Sequence, residues 1–146
     1  MRKILLVILS IVLILSLCFL LGLFSLMPDI QTVSYSKTDL VFSNYDETLY
    51  FKKENRGNEK IVILSVSSNK EFEVDTSSEF IYDISSIPLF YKKTGESLII
   101  YTMTPSQIPT NFKSRIKILQ VEIDNPKMMK LINNKSYLNF GLKKIE

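Results

Sequence analysis

Two patterns of apolar and polar positions divide the chain. Residues Ile4 to Met27 are uncharged and almost wholly apolar, with Ser10, Ser16 and Ser25 as the polar breaks. Beyond residue 28 the apolar positions come in short runs or alternate with polar ones. The first pattern predicts a helix in lipid. At about 1.5 Å per residue it reaches about 36 Å, enough for a hydrocarbon core of about 30 Å. Pro28 and Asp29 mark its end at the interface. Arg2 and Lys3 precede the run, whereas the stretch to residue 45 sets Lys37 against Asp29 and Asp39. The positive-inside rule then expects residues 1–3 as a cytoplasmic stub, 4–27 as a single-pass signal-anchor, and 28–146 as a domain outside the membrane. A cleaved signal peptide fits less well: the run exceeds the usual apolar region and the chain has no Ala for an A-x-A site. A lipobox around Cys18 is spoiled by Leu17, which is not small.

The second pattern predicts strands. Residues 30–36 and 39–43 read as two short strands with a polar step between them. Residues 47–53 and 60–66 form a hairpin around a loop at 54–58, and the continuous apolar run 60–66 suggests a central strand. Residues 70–75 alternate, placing Phe72 and Val74 on one face and Glu71, Glu73 and Asp75 on the other. Residues 79–84 give another strand, and Pro88 is expected to hold 89–93 near an edge or bend. A tight turn at 94–96 leads into 97–103. Two prolines make 104–114 the longest irregular connection. In 115–123, Ile116, Ile118, Val121 and Ile123 read as inward, with a bulge near Leu119 and Gln120. Asn125 as N-cap and Pro126 at the first position predict one short helix, carrying Met128, Met129, Leu131 and Ile132 to Asn133–Asn134. Residues 136–142 read as a last strand. The expected fold is mainly β: a transmembrane helix, then a small antiparallel β-sandwich or barrel-like domain with one short helix near the C-terminus.

Composition sharpens this picture. Of 18 Lys and Arg, two precede the apolar run, leaving 16 against all 15 Asp and Glu in the domain. Such balance argues against a nucleic-acid binder. The one Cys is Cys18, inside the apolar run, so no disulfide staples the domain. All seven Tyr and seven of the nine Phe lie beyond residue 28 and supply a core instead. Absent Ala and plentiful Ile, Val, Tyr and Thr suit strands.

Candidate chemistry is sparse. The chain has no His, which removes His-based nucleophile systems and the usual zinc sites. Ser67-x-x-Lys70 and Lys93-Thr94-Gly95 echo two elements of penicillin-binding enzymes, but both fall in expected turns and no S-D-N element accompanies them. The carboxylates Glu71, Glu73 and Asp75, with Glu79 and Asp83 nearby, read as a solvated strand face rather than a calcium site. The dibasic pairs Lys52–Lys53, Lys92–Lys93 and Lys143–Lys144 read as solubilising strand ends, or as contacts to anionic headgroups if they converge. No catalytic, cofactor-binding or metal residue is expected, and no small-molecule substrate. The expectation is an envelope binding or accessory protein held in the bilayer by residues 4–27, meeting a protein partner through exposed Ile108 and Phe112 on the 104–114 loop. An immunity or inhibitor protein acting against a toxin or hydrolase is the alternative, and a carboxylate-only enzyme a more distant one.

Overall fold

The computed structural model describes residues 12, 13, 16, 19, 33–57 and 59–145. The cytoplasmic stub and most of the expected membrane helix therefore lie outside the described residues, as do residues 30–32 of the first expected strand. Val12, Leu13, Ser16 and Phe19 are helical, and the Ser16 hydroxyl donates to the Leu13 carbonyl at 2.8 Å. Among the described residues no helix is long and apolar enough to cross a membrane.

Residues 33–145 are mainly β, with two four-stranded sheets and one short helix. The first sheet is a meander of β1 (Val33–Phe42), β2 (Glu47–Arg56), β3 (Ile61–Ser67) and β4 (Phe80–Asp83), in that order and antiparallel throughout. β1 is one strand where the sequence suggested two. Its pairing with β2 runs unbroken from Val33↔Arg56 to Phe42↔Glu47, so the ladder satisfies the backbone through the polar step at Lys37–Thr38. The first hairpin is thus β1–β2, turning at Asp46 with a φ of 49°. β3 is central, as its continuous apolar run suggested.

The second sheet has β5 (Leu89–Lys93), β6 (Ser97–Thr102), β7 (Lys117–Glu122) and β8 (Lys143–Ile145), ordered β7-β6-β5-β8. Three features differ from the sequence reading. The sheet is mixed, because β6 and β7 pair in parallel; the long 104–114 segment is the crossover such a pair requires. β5 lies inside the sheet, since Pro88 precedes the strand and costs it no ladder bond. β7 has no bulge: its register runs evenly from Ser97↔Lys117 to Thr102↔Glu122. Gln120 therefore points inward, where it accepts from the Tyr82 hydroxyl at 2.8 Å, while Leu119 and Val121 lie on the outer, exposed side.

Inward side chains of both sheets share one core. Leu40 and Phe42 of β1, Leu49 and Phe51 of β2, Leu64 and Val66 of β3, and Phe80 and Tyr82 of β4 meet Leu89, Tyr91, Leu98 and Ile100. Phe51 and Tyr91 touch edge-to-face across the layers, their centroids 4.9 Å apart. Each such side chain contributes roughly 1.5–3 kcal/mol by leaving water. Phe90 points the other way, into a second cluster with Met128 and Leu142.

That cluster seats α1 (Asn125–Asn133) on the outer face of the second sheet. Its N-cap is Asp124 rather than Asn125: the Asp124 carboxylate accepts from the Lys127 amide at 2.9 Å. Two expected strands are absent. Residues 136–142 instead form a 3₁₀ turn at Ser136–Leu138 and further turns, and pairing is left to β8. Lys135 at φ 49° and Gly141 at φ 65° reverse the chain on either side, which no continuous strand tolerates. Residues 70–75 are irregular too. Their alternation has no strand partner, and Phe72 stays 46% exposed; Glu71, Glu73 and Asp75 therefore share no strand face.

Candidate binding surfaces

The two residues singled out on the 104–114 connection have different surroundings. Ile108 is 79% exposed. Phe112 is half-buried and packs edge-on against Phe80, centroid to centroid 5.1 Å. Polar contacts tie the connection down around them. The Ser106 hydroxyl accepts from the Ile81 amide at 2.8 Å, which satisfies the free edge of β4. Gln120 accepts from the Ser106 amide at 2.7 Å and donates to its carbonyl at 2.9 Å. At the far end Glu47 accepts from the Ser114 hydroxyl and from the Arg115 amide, while the Arg115 guanidinium lies 5.5 Å from the Tyr45 ring centre. The loop is a clasp between the sheets, and Ile108 is the apolar side chain it leaves in water.

The outer face of the first sheet carries a buried ion pair. Alternation places Lys52 on that face with Tyr50 and Glu54, and the dibasic reading made it a solvated strand end. Instead its side chain is 2% exposed and pairs with Glu79, whose side chain is 1% exposed. The cause is the segment 68–79, which folds over the sheet and supplies both the Glu79 carboxylate and the Glu73 carbonyl, 3.2 Å from Lys52 Nζ. Among the described residues, neither the buried hydroxyl of Ser65, opposite Lys52 in the ladder, nor Glu79 Oε2 has a hydrogen-bond partner. Nothing local in the sequence announces this arrangement, because the lid comes from residues far along the chain.

The same lid is fastened at its tip. Asp75 accepts from the Ser77 amide at 2.9 Å and from the Ser77 and Ser78 hydroxyls, at 2.7 and 2.8 Å. These bonds, chiefly that from the Ser77 hydroxyl, hold its carboxyl below the usual carboxylate range. Beside the lid runs an open groove of about 670 Å³ bordered by Tyr35, Glu54, Arg56, Ile63 and Phe72. Within it Arg56 bonds Glu54 at 2.6 Å, and Glu73 of the lid adds a second carboxylate to its border.

The outer face of the second sheet is different. Between α1, β6, β7 and the C-terminal turns lies a cleft of about 310 Å³, lined by Tyr101, Ile123, Leu131, Phe140 and Leu142 with Lys127 and Lys130 at its rim. Its apolar surface runs on to exposed Leu119 and Val121. Leu138 and Phe140 stand out beside it, 61% and 62% exposed. From residue 125 to 146 the chain has five Lys and one acid, Glu146 at its end, whereas residues 28–124 carry 11 Lys and Arg against 14 Asp and Glu. The near-neutral domain is an acidic body with a basic end. A charge count by segment shows this in the sequence; a count over the whole domain averages it away.

The other sequence features resolve locally. Ser67 is buried at the end of β3 and its hydroxyl accepts from the Asn69 amide at 2.9 Å. Lys93 donates to the Val41 carbonyl and lies 5.2 Å from the Phe42 ring centre, joining the two sheets. Asp83 caps its own turn through the Ser85 hydroxyl and amide, which lower its pKa. Among the described residues no three Cys, Asp or Glu side chains gather as a metal site. No protein-family model, curated protein or solved structure matches the chain.

Proposed function

We propose that this chain is a single-pass, membrane-anchored binding protein of the cell envelope. In this reading residues 4–27 span the bilayer with the N-terminus inside, and residues 28–146 form an extracytoplasmic β-sandwich. The observation that carries the binding role is the cleft on the second sheet, apolar inside and basic at its rim. Apolar pockets with a few convergent polar groups are the usual form of a recognition site. The anchor rests on the length and flanking charges of the apolar run.

Two measurements test this. The intact mass of membrane-extracted protein, with protease protection on spheroplasts, should give the full chain and cleavage from outside; a shortened mass or complete protection would defeat the topology. A photocrosslinker at Leu131, compared with one at Tyr35, should give a defined adduct in the cleft alone. Equal labelling at the two positions would remove the cleft as the binding site.

A further inference from the structure

The residues beside the cleft point to a particular occupant. Residues 135–142 include side chains the fold uses and side chains it leaves out. Tyr137 packs on Phe90, centroids 5.1 Å apart, and Leu142 is buried in the same cluster. Leu138 and Phe140, between them, belong to no core cluster and project into water. The reversals at Lys135 and Gly141 hold this tip in shape, so the two apolar side chains stand on a fixed base. Around them Lys127, Lys130, Lys135 and Lys143 are exposed, and the one acid from residue 125 to 146 is Glu146. Asp124, exposed, lies 3.5 Å from Lys127 Nζ, a pairing that contributes little in water.

We infer that this end of the domain is a peripheral membrane-binding surface, with Leu138 and Phe140 entering the interface of an anionic phospholipid bilayer and the lysines meeting its headgroup phosphates. The inference rests on the binding role given to this cleft above and names its partner. Phe and Leu beside Lys is the composition of interfacial anchors. The choice of cation separates a bilayer from a protein partner. Protein interfaces are enriched in Arg and Trp and depleted in Lys, yet every cation here is Lys. A fluid, diffuse field of phosphates suits flexible point charges and asks for no bidentate geometry.

The chain contains no Trp, so Phe140→Trp gives a single fluorescent reporter at an exposed site. The full-length variant is reconstituted into vesicles of phosphatidylcholine alone or mixed with phosphatidylglycerol. Blue-shifted emission, quenched by brominated acyl chains, is expected in the mixed vesicles only. It should fade toward 1 M salt, where screening shortens to about 3 Å. Lys130→Gln and Lys135→Gln should each lower the docked-to-free ratio by about fivefold, and an Ile108→Trp reporter should stay water-exposed throughout. Equal emission in both vesicle types overturns the inference while flotation with both leaves the anchor standing. A blue shift in micelles that grows with protein concentration overturns it in favour of a second copy of the chain. Failure to float with either vesicle overturns inference and anchor together.

Discussion

The outer faces of the two sheets meet the same problem and solve it with opposite chemistry. On the first, an irregular lid, residues 68–79, closes over Lys52 and is fixed by a buried ion pair and a carboxylate-capped turn. On the second, α1 lies across Phe90 through Met128 and the partly buried Met129, Leu131 and Ile132. A lid without repeating structure buries little apolar area, so a few strong directional contacts must define where it sits. A helical lid is held by area, which is non-directional. It therefore accepts an uneven fit, and the cleft beside Leu131 is what that tolerance leaves. The first face is fixed by a buried ion pair and keeps an open groove beside its lid; the second is held by apolar area and has lysines at the rim of its cleft.

The sharpest way to break this contrast is to remove half of the ion pair. Glu79→Ala leaves the Lys52 ammonium buried and uncompensated and should cost about 3–5 kcal/mol. Joint replacement by Lys52→Met and Glu79→Leu should restore most of that, since a buried pair recovers little more than its desolvation. Equilibrium unfolding in denaturant, monitored on the detergent-solubilised chain, reads both. A loss below about 1 kcal/mol in the single variant would mean that the lid is not held by this pair.

The helical lid should respond more mildly. Met128 is fully buried beneath α1, and Met128→Ala should cost about 2–4 kcal/mol through lost transfer energy and a residual cavity. The adjoining cleft gives the helix room to settle, which moves the expectation toward the lower figure. The same unfolding measurement decides it; a loss as large as that from Glu79→Ala would show that the apolar lid is as narrowly specified as the polar one. No second-site change is expected to rescue it, because no charge is stranded.

The contrast also explains which parts were legible beforehand. Local rules located β3 through β6 and α1 closely, because Ile, Val, Tyr and Phe runs bounded by Gly, Ser and Asn carry their own signal; β2 runs on through Glu54, Asn55 and Arg56, which read as loop. Pro126 fixed the helix start to within a residue. Alternation misled at residues 70–75, where Phe72 and Val74 share the period of a strand but no neighbour offers a ladder. It misled again at 136–142, which read as a last strand, whereas the segment turns and leaves Leu138 and Phe140 in water. The inward turn of Gln120 was hidden for a similar reason: its partners Tyr82 and Ser106 come from other elements. Of the two residues read as exposed on the 104–114 connection, Ile108 is in water, whereas Phe112 packs against Phe80. The buried role of Lys52 depends on Glu79, 27 residues away, and no local pattern carries such a pairing.

Acid should act on both lids through their cap carboxylates, with the smallest effect of the three. Asp75 at the polar lid and Asp124 at the helix start both have pKa values lowered from 3.8, the first chiefly by the Ser77 hydroxyl, the second chiefly by the Lys127 amide. A folded-state value below the unfolded one gives stabilisation that is fully present above the ordinary carboxylate range. It is lost as pH falls through that range and then through the lower folded value. Hydrogen-exchange protection at the Ser77 and Lys127 amides should therefore decline together below the ordinary range, while β3 and β6 keep theirs. Asp75→Asn separates the two. The amide oxygen of Asn can still accept from the Ser77 amide, and its nitrogen can donate to a serine hydroxyl, so the turn persists without a titrating group. Protection at Ser77 should then become independent of acid while that at Lys127 remains sensitive. Continued acid loss at Ser77 in this variant would show that the Asp75 cap is not what acid acts on at the polar lid.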